Sequence, residues 1–379
     1  MLKALPVLST LFLLLVLASC SKKENNNNKS TPVTATPTEL GLYEGDTVQY
    51  GSTTAPDTVA YRDLFVAVSQ IGTQSVDYGL VFDTGSGGMV IDANGIIPPA
   101  MIGTSGFNFA GDSTTVNGIT ITNQTSTLQY GADSATTTTV YGNLAYAPVT
   151  VGDQNGSFVI KRLPFCLYYK AVDAGGNKLP VHYFDTFGVN SEYIYFSPGN
   201  NFITSPFSYY DPGTGLTKGF KIAALGTSNF SPIGFTYVPN VVTIGLTSDD
   251  VSSSSGYTMH QANFYQGDGY VPIFPTTITY NGTKVSTYVL FDTGTSGYNY
   301  IEDPNATADI SQLATGSSVT IATQAGFNYA FTVSALQNQS YIENPTKTGG
   351  EFTIIGIDFF INNQYLLNFS NNQVGLKNN

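Results

Sequence analysis

The feature that most constrains this chain of 379 residues is a strand ending that occurs twice. Leu80-Val81-Phe82-Asp83-Thr84-Gly85-Ser86 returns as Val289-Leu290-Phe291-Asp292-Thr293-Gly294-Thr295. Each copy is an apolar run closed by Phe, then Asp-Thr-Gly, then a hydroxyl residue. One Asp-Thr-Gly means little in a chain rich in Thr and Gly. Two, each ending a strand-like run, imply half-sites that folding must bring together. Residues 66–91 and 271–301 share the order strand, turn, strand, Asp-Thr-Gly, strand. Outside that module the halves do not align by eye, so the duplication is one of lobes rather than a short-period array.

Two carboxylates held together cannot both ionise comfortably. Like charges a few ångströms apart raise one pKa, so the pair keeps a single proton over a wide pH range. The charged member can then act as general base on a water while the protonated member donates to a carbonyl oxygen. That is amide hydrolysis without a metal, a cofactor or a covalent intermediate. Gly after each Asp-Thr permits a tight turn and close approach of backbone N–H groups, and Thr can hydrogen-bond across to the opposing loop.

The rest of the chain reads as β-structure. Charged residues are 11 %, well below the usual quarter, and 25 Tyr and 24 Phe supply bulk where Trp is absent. Short apolar runs such as Ile119-Thr120-Ile121, Val149-Thr150-Val151, Val241–Ile244 and Val319-Thr320-Ile321 alternate with Gly, Asn and Ser. No stretch keeps a 3.6-residue apolar period, which predicts an all-β chain with few, short helices. A net charge of −12 without a basic patch excludes nucleic acid as an expected partner.

The N-terminus reads as an export signal. Met1-Leu2-Lys3 precedes an apolar run from Ala4 to Ala18 that is short for a membrane span. Leu17-Ala18-Ser19-Cys20 resembles the bacterial lipobox, in which the Cys becomes the acylated first residue. Residues 1–20 are therefore expected to be removed or lipidated, and 21–60 to form a polar tether with a first strand near Leu42 to Tyr50. Lobes are expected over 61–245 and 246–379.

Other residues of chemical interest read as structural. Cys166 in Leu163-Pro164-Phe165-Cys166-Leu167 is expected as buried filler. His182 and His260 lie near no Ser or Cys motif and lack ligand spacing, so no metal site is expected. Asp249-Asp250 and Gly267-Asp268-Gly269 read as turns.

These motifs resemble the pepsin-like aspartic proteases, and the match runs from about Phe65 to Leu376. Asp83-Thr84-Gly85-Ser86 and Asp292-Thr293-Gly294-Thr295-Ser296 correspond to the family's two catalytic loops. Ile71-Gly72-Thr73 sits where the family carries its Ile-Gly-Thr turn, and Leu128-Gln129-Tyr130-Gly131 resembles its flap. Phe187-Gly188 and Ile354-Ile355-Gly356-Ile357-Asp358 resemble the loops that support the dyad. Tyr365–Phe369 and Asn372–Leu376 resemble the family's C-terminal end.

The resemblance implies a bilobal all-β fold with its cleft between the lobes, and an Asp83–Asp292 dyad. Ser86 and Thr295 would bond the outer carboxylate oxygens, and Thr84 and Thr293 would lock the loops. Tyr130 and Gly131 would close over an extended peptide with apolar side chains beside the scissile bond. The expected protein is a monomeric endopeptidase acting on peptides or proteins at acidic pH, exported and lipid-anchored to a bacterial membrane through Cys20. The alternative is a pepsin-fold protein that binds peptides at the cell surface and has lost most or all activity. In the family a Trp shortly after the first loop holds the flap tyrosine; here Met89-Val90-Ile91 follows.

Overall fold

The computed structural model describes residues 35–49, 59–131, 137–226 and 235–379. The export signal, Cys20 and most of the tether lie outside the described residues. The described chain is almost entirely strands, and its longest α-helix is the five-residue Asp358–Asn362. Short hairpins rich in Gly and Asn join the strands, and Asn residues such as Asn117 and Asn281 take positive φ at their turns.

Among the described residues two large sheets carry the fold, one of 14 strands and one of eight. The smaller is built from strands between Phe274 and Ile355. The larger draws on both ends of the described residues. Its strand Thr38–Gln49 runs antiparallel between Val59–Ile71 and Phe235–Leu246, and the C-terminal pair Asn363–Asn368 and Gln373–Asn378 joins through Thr217–Ile222. Both sheets belong to the two-lobed, nearly all-β architecture that the sequence predicts.

Burial follows the position of each strand. Along Gln74–Asp83 the side chains alternate between half-buried and exposed until Leu80, after which the strand enters the interior. Gly87–Asp92 is buried at every position. It is flanked by a parallel partner in Gly156–Val172 and an antiparallel one in Thr186–Val189. Such an interior strand demands a run of apolar side chains rather than alternation.

Phenylalanine anchors both Asp-Thr-Gly endings. Phe82 is fully buried and packs edge-on to Phe220 at 6.4 Å between ring centroids. Phe291 is 1 % exposed and lies 4.2 Å from Phe359. Truncating a buried Phe of this kind costs about 3–5 kcal/mol, so each strand end has little freedom to shift its Asp.

Candidate active site

The two Asp-Thr-Gly loops meet. In each half the strand before the Asp pairs in parallel with a short strand. Val81, Phe82 and Asp83 face Thr186, Phe187 and Gly188, while Val289, Leu290 and Phe291 face Thr353, Ile354 and Ile355. The loops past the Asp residues are pinned alike, by Asn190 N–H to Ser86 O at 3.0 Å and Ile357 N–H to Thr295 O at 3.1 Å. The apolar-Gly segments picked out in the sequence, Phe187-Gly188 and Ile355-Gly356, are these supports.

The threonines form a closed exchange between the loops. Thr84 N–H donates to Thr293 Oγ1 at 3.0 Å, and Thr293 N–H donates to Thr84 Oγ1 at 2.9 Å. Each hydroxyl then donates to the strand opposite, Thr84 to Phe291 O at 2.9 Å and Thr293 to Phe82 O at 2.6 Å. Both threonines are fully buried.

Glycine at 85 and 294 is required by the approach of the carboxyls. A Cβ on Gly85 would lie 2.4 Å from the Asp292 carboxyl carbon, and one on Gly294 would lie 2.7 Å from that of Asp83. Each loop thus leaves the space that the other loop's carboxyl occupies.

Hydrogen bonds fix both carboxyls. Gly85 and Ser86 N–H donate to Asp83 Oδ1 at 2.6 and 3.2 Å, and the Ser86 hydroxyl donates to Asp83 Oδ2. In the mirror arrangement Gly294 N–H reaches Asp292 Oδ1 at 2.7 Å and the Thr295 hydroxyl reaches Oδ2 at 2.5 Å. Burial first, then the neighbouring Asp292 charge and a hydrogen bond shared with it, push Asp83 well above the ordinary carboxyl range. The Ser86 hydroxyl and Gly85 amide oppose that rise without cancelling it. A pair of this kind shares one proton.

The carboxyls open into a cavity of about 980 Å³ walled by Phe65, Val81, Ile194, Leu290, Phe352 and Ile354. Tyr130 and Gly131 border it from the hairpin of Ile119–Tyr130 and Thr138–Asp153. The Tyr130 ring packs on Phe184, with centroids 4.7 Å apart. Phe184 holds the ring in a chain without Trp.

The remaining candidates are placed elsewhere. Cys166 is a free, fully buried thiol pushed up to about 12 by burial. His182 bonds Asp185 Oδ2 at 2.7 Å and Asn94 O at 2.8 Å beside the Tyr78 ring. His260 stacks on Phe274 and bonds Thr323 Oγ1 at 2.8 Å. Asp250 accepts from Thr247 and Lys221, as a turn residue does. The Gly267-Asp268-Gly269 turn has a second position, since Gly267 and Asp268 border the cleft. Sequence reasoning missed that, along with Phe184, Glu192 and Asp63 on the cleft wall. Long-range strand pairing brings them there, such as Tyr193 N–H to Asp268 O at 2.7 Å.

The fold is the pepsin-like one. Among solved structures the chain is similar to an aspartic proteinase from Irpex lacteus, with a TM-score of 0.53 and 16 % identity over 85 % of this chain and 94 % of that one. It is also similar to conglutin gamma, a basic 7S globulin from lupine seeds, with a TM-score of 0.52 and 10 % identity over 91 % and 96 %. The soybean basic 7S globulin gives a TM-score of 0.50 and 10 % identity over 89 % and 95 %. Identities this low describe the fold. No family profile and no curated protein matches the sequence.

Proposed function

We propose that the chain is an aspartic endopeptidase in which Asp83 and Asp292 share one proton. The observation that carries this reading is the mutual accommodation of the loops, with each glycine vacating the space of the opposite carboxyl. One carboxylate takes a proton from a water as its oxygen attacks the peptide carbonyl carbon. The other carboxyl gives its proton to the carbonyl oxygen, producing a neutral tetrahedral diol. Collapse of the diol breaks the C–N bond and delivers a proton to the leaving amine, restoring the singly protonated pair. Tyr130 covers the bound peptide from the flap.

Buried acids support work at low pH. Glu44 is pushed up to about 7 by burial. Glu192 reaches about 7 through burial and the charges of Asp268 and Glu351, and Glu302 about 7 through burial and the charge of Glu343. Each favours the proton-rich folded state. Export through the N-terminal signal, with anchoring to a bacterial membrane at Cys20, belongs to the same proposal and rests on the lipobox-like sequence. Both carboxyls come from one chain, so a monomer suffices.

The test is digestion of a denatured protein by the purified chain at acidic pH, with a statine-containing transition-state analogue as inhibitor. Cleavage blocked by the analogue supports the reading, and absence of cleavage at any pH between about 2 and 7 opposes it. A second reading, a peptide-binding protein without turnover, is favoured by the two neighbours that are named as globulins. It predicts binding of the analogue without cleavage.

A further inference from the structure

Beyond the flap lies a second cavity of about 820 Å³. It shares Gln129, Tyr130, Gly131, Phe352 and Ile354 with the cavity of the dyad, so a chain extended through one continues into the other. Its ionisable lining, tyrosine aside, is Asp173, Glu302 and Glu351, and no Lys, Arg or His lines either cavity among the described residues.

Glu302 is the informative member. It ends the strand Tyr298–Glu302, is only 5 % exposed, and its Oε2 has no hydrogen-bond partner among the described residues. Its backbone N–H is held by Thr353 Oγ1 at 3.0 Å. A Cβ on Gly350 would lie 2.0 Å from Glu302 Oε1, so the carboxyl rests directly against the Gly350 backbone. Other acids face it. Glu343 stands opposite in the parallel register and Glu351 follows the Gly350 turn, while Lys347 is paired with Asp309. Burying a carboxyl without a donor is costly, and a second carboxylate alongside adds to the cost. Burial, then the Glu343 charge, lifts Glu302 to about 7, and a neighbouring cation is the kind of partner that favours the charged form of such a carboxyl.

We propose that this cavity is a subsite for the Lys or Arg side chain of a peptide bound at the dyad, with Glu302 as the residue that determines that preference. The inference rests on the endopeptidase reading and adds a substrate class to it, namely peptides with apolar residues at the scissile bond and a basic residue further along. An extended peptide places alternate side chains on one wall, so the basic residue falls at a fixed distance from the cut.

The experiment measures kcat/KM for peptides that differ only by Lys, Gln or Glu at one position, scanned along both sides of the scissile bond. At one position Lys exceeds Gln by about tenfold to a hundredfold, the usual strength of a charge-assisted hydrogen bond, and Glu ranks last. Glu302→Gln brings the Lys-to-Gln ratio at that position toward one. Equal rates for Lys and Gln at every position overturn the proposal, as does a Lys preference that Glu302→Gln leaves intact. The comparison of peptides on the unsubstituted chain stands even if the variant does not fold. If no peptide is cut, the endopeptidase reading fails separately. Calorimetric binding of the Lys and Gln peptides to the full chain then decides the subsite: tighter Lys binding upholds it, and equal affinity overturns it.

Discussion

Thr84→Val is the substitution whose cost can be worked most directly from the structure. It keeps the shape of the side chain and deletes one hydroxyl. Thr293 N–H loses its acceptor at 2.9 Å and Phe291 O loses its donor at 2.9 Å, both in a fully buried setting. Each orphaned buried group costs about 1–3 kcal/mol, so the pair costs about 2–6 kcal/mol. Against a typical total of about 5–15 kcal/mol, that is a large share of the fold's stability. Thr84→Ser keeps the hydroxyl and loses one methyl, worth about 1 kcal/mol. Urea unfolding at one pH, with the m-value checked for constancy, ranks the three proteins. The Val variant is also expected to lose turnover while folded, because the two Asp residues are no longer held in common register. A Val variant within about 0.5 kcal/mol of the parent, or a Ser variant as damaged as Val, refutes this account of the exchange.

Further outcomes follow from the same geometry. Asp83 is raised in the fold, so the unfolded chain releases that proton first and stability falls as pH rises above the ordinary carboxyl range. Asp83→Asn removes this loss, and its melting temperature should gain on the parent's between pH 4 and pH 7; a constant difference contradicts the shift. Glu44 and Glu302, both buried and both raised from 4.5 to about 7, make stability decline over that window, which a pH series of denaturant midpoints checks. His260 works in the opposite direction, being lowered by burial from 6.5 to about 4. Its contribution is complete above pH 6.5 and is lost as pH falls toward 4, by about 3 kcal/mol, so His260→Gln should flatten the acid side of the same series. Phe184→Ala removes the ring beside Tyr130 and should lower kcat/KM about tenfold while the unfolding midpoint moves less than for Thr84→Val.

What the sequence discloses about the site is what local chemistry demands. Asp-Thr-Gly is legible because all its requirements sit within three residues: a carboxyl, a crossing hydroxyl and a position without Cβ. The β-rich class is legible for the same reason, since alternation and turn residues are short-range signals. Phe184 carries no such mark. Its role depends on packing against Tyr130, which lies far away in sequence on another hairpin. Glu302 reads as an ordinary strand end until Gly350 and Glu343 are folded beside it. Asp268 lies in a turn that the sequence identifies, but the pairing of Glu192 with Gly269 is what carries that turn to the cleft. The larger sheet joins the strand Thr38–Gln49 to the C-terminal strands in one body, which no local pattern announces.

The central claim is that Asp83 and Asp292 act as one proton-sharing pair on a peptide bond. It is tested most directly by cleavage of a denatured protein at acidic pH with the parent, Asp83→Asn and Asp292→Asn chains, each verified as folded by its melting transition. The account predicts cleavage by the parent and a loss of about a thousandfold or more in both variants, since neither carboxyl can serve as both base and acid in the same step. Activity that survives in either variant contradicts it.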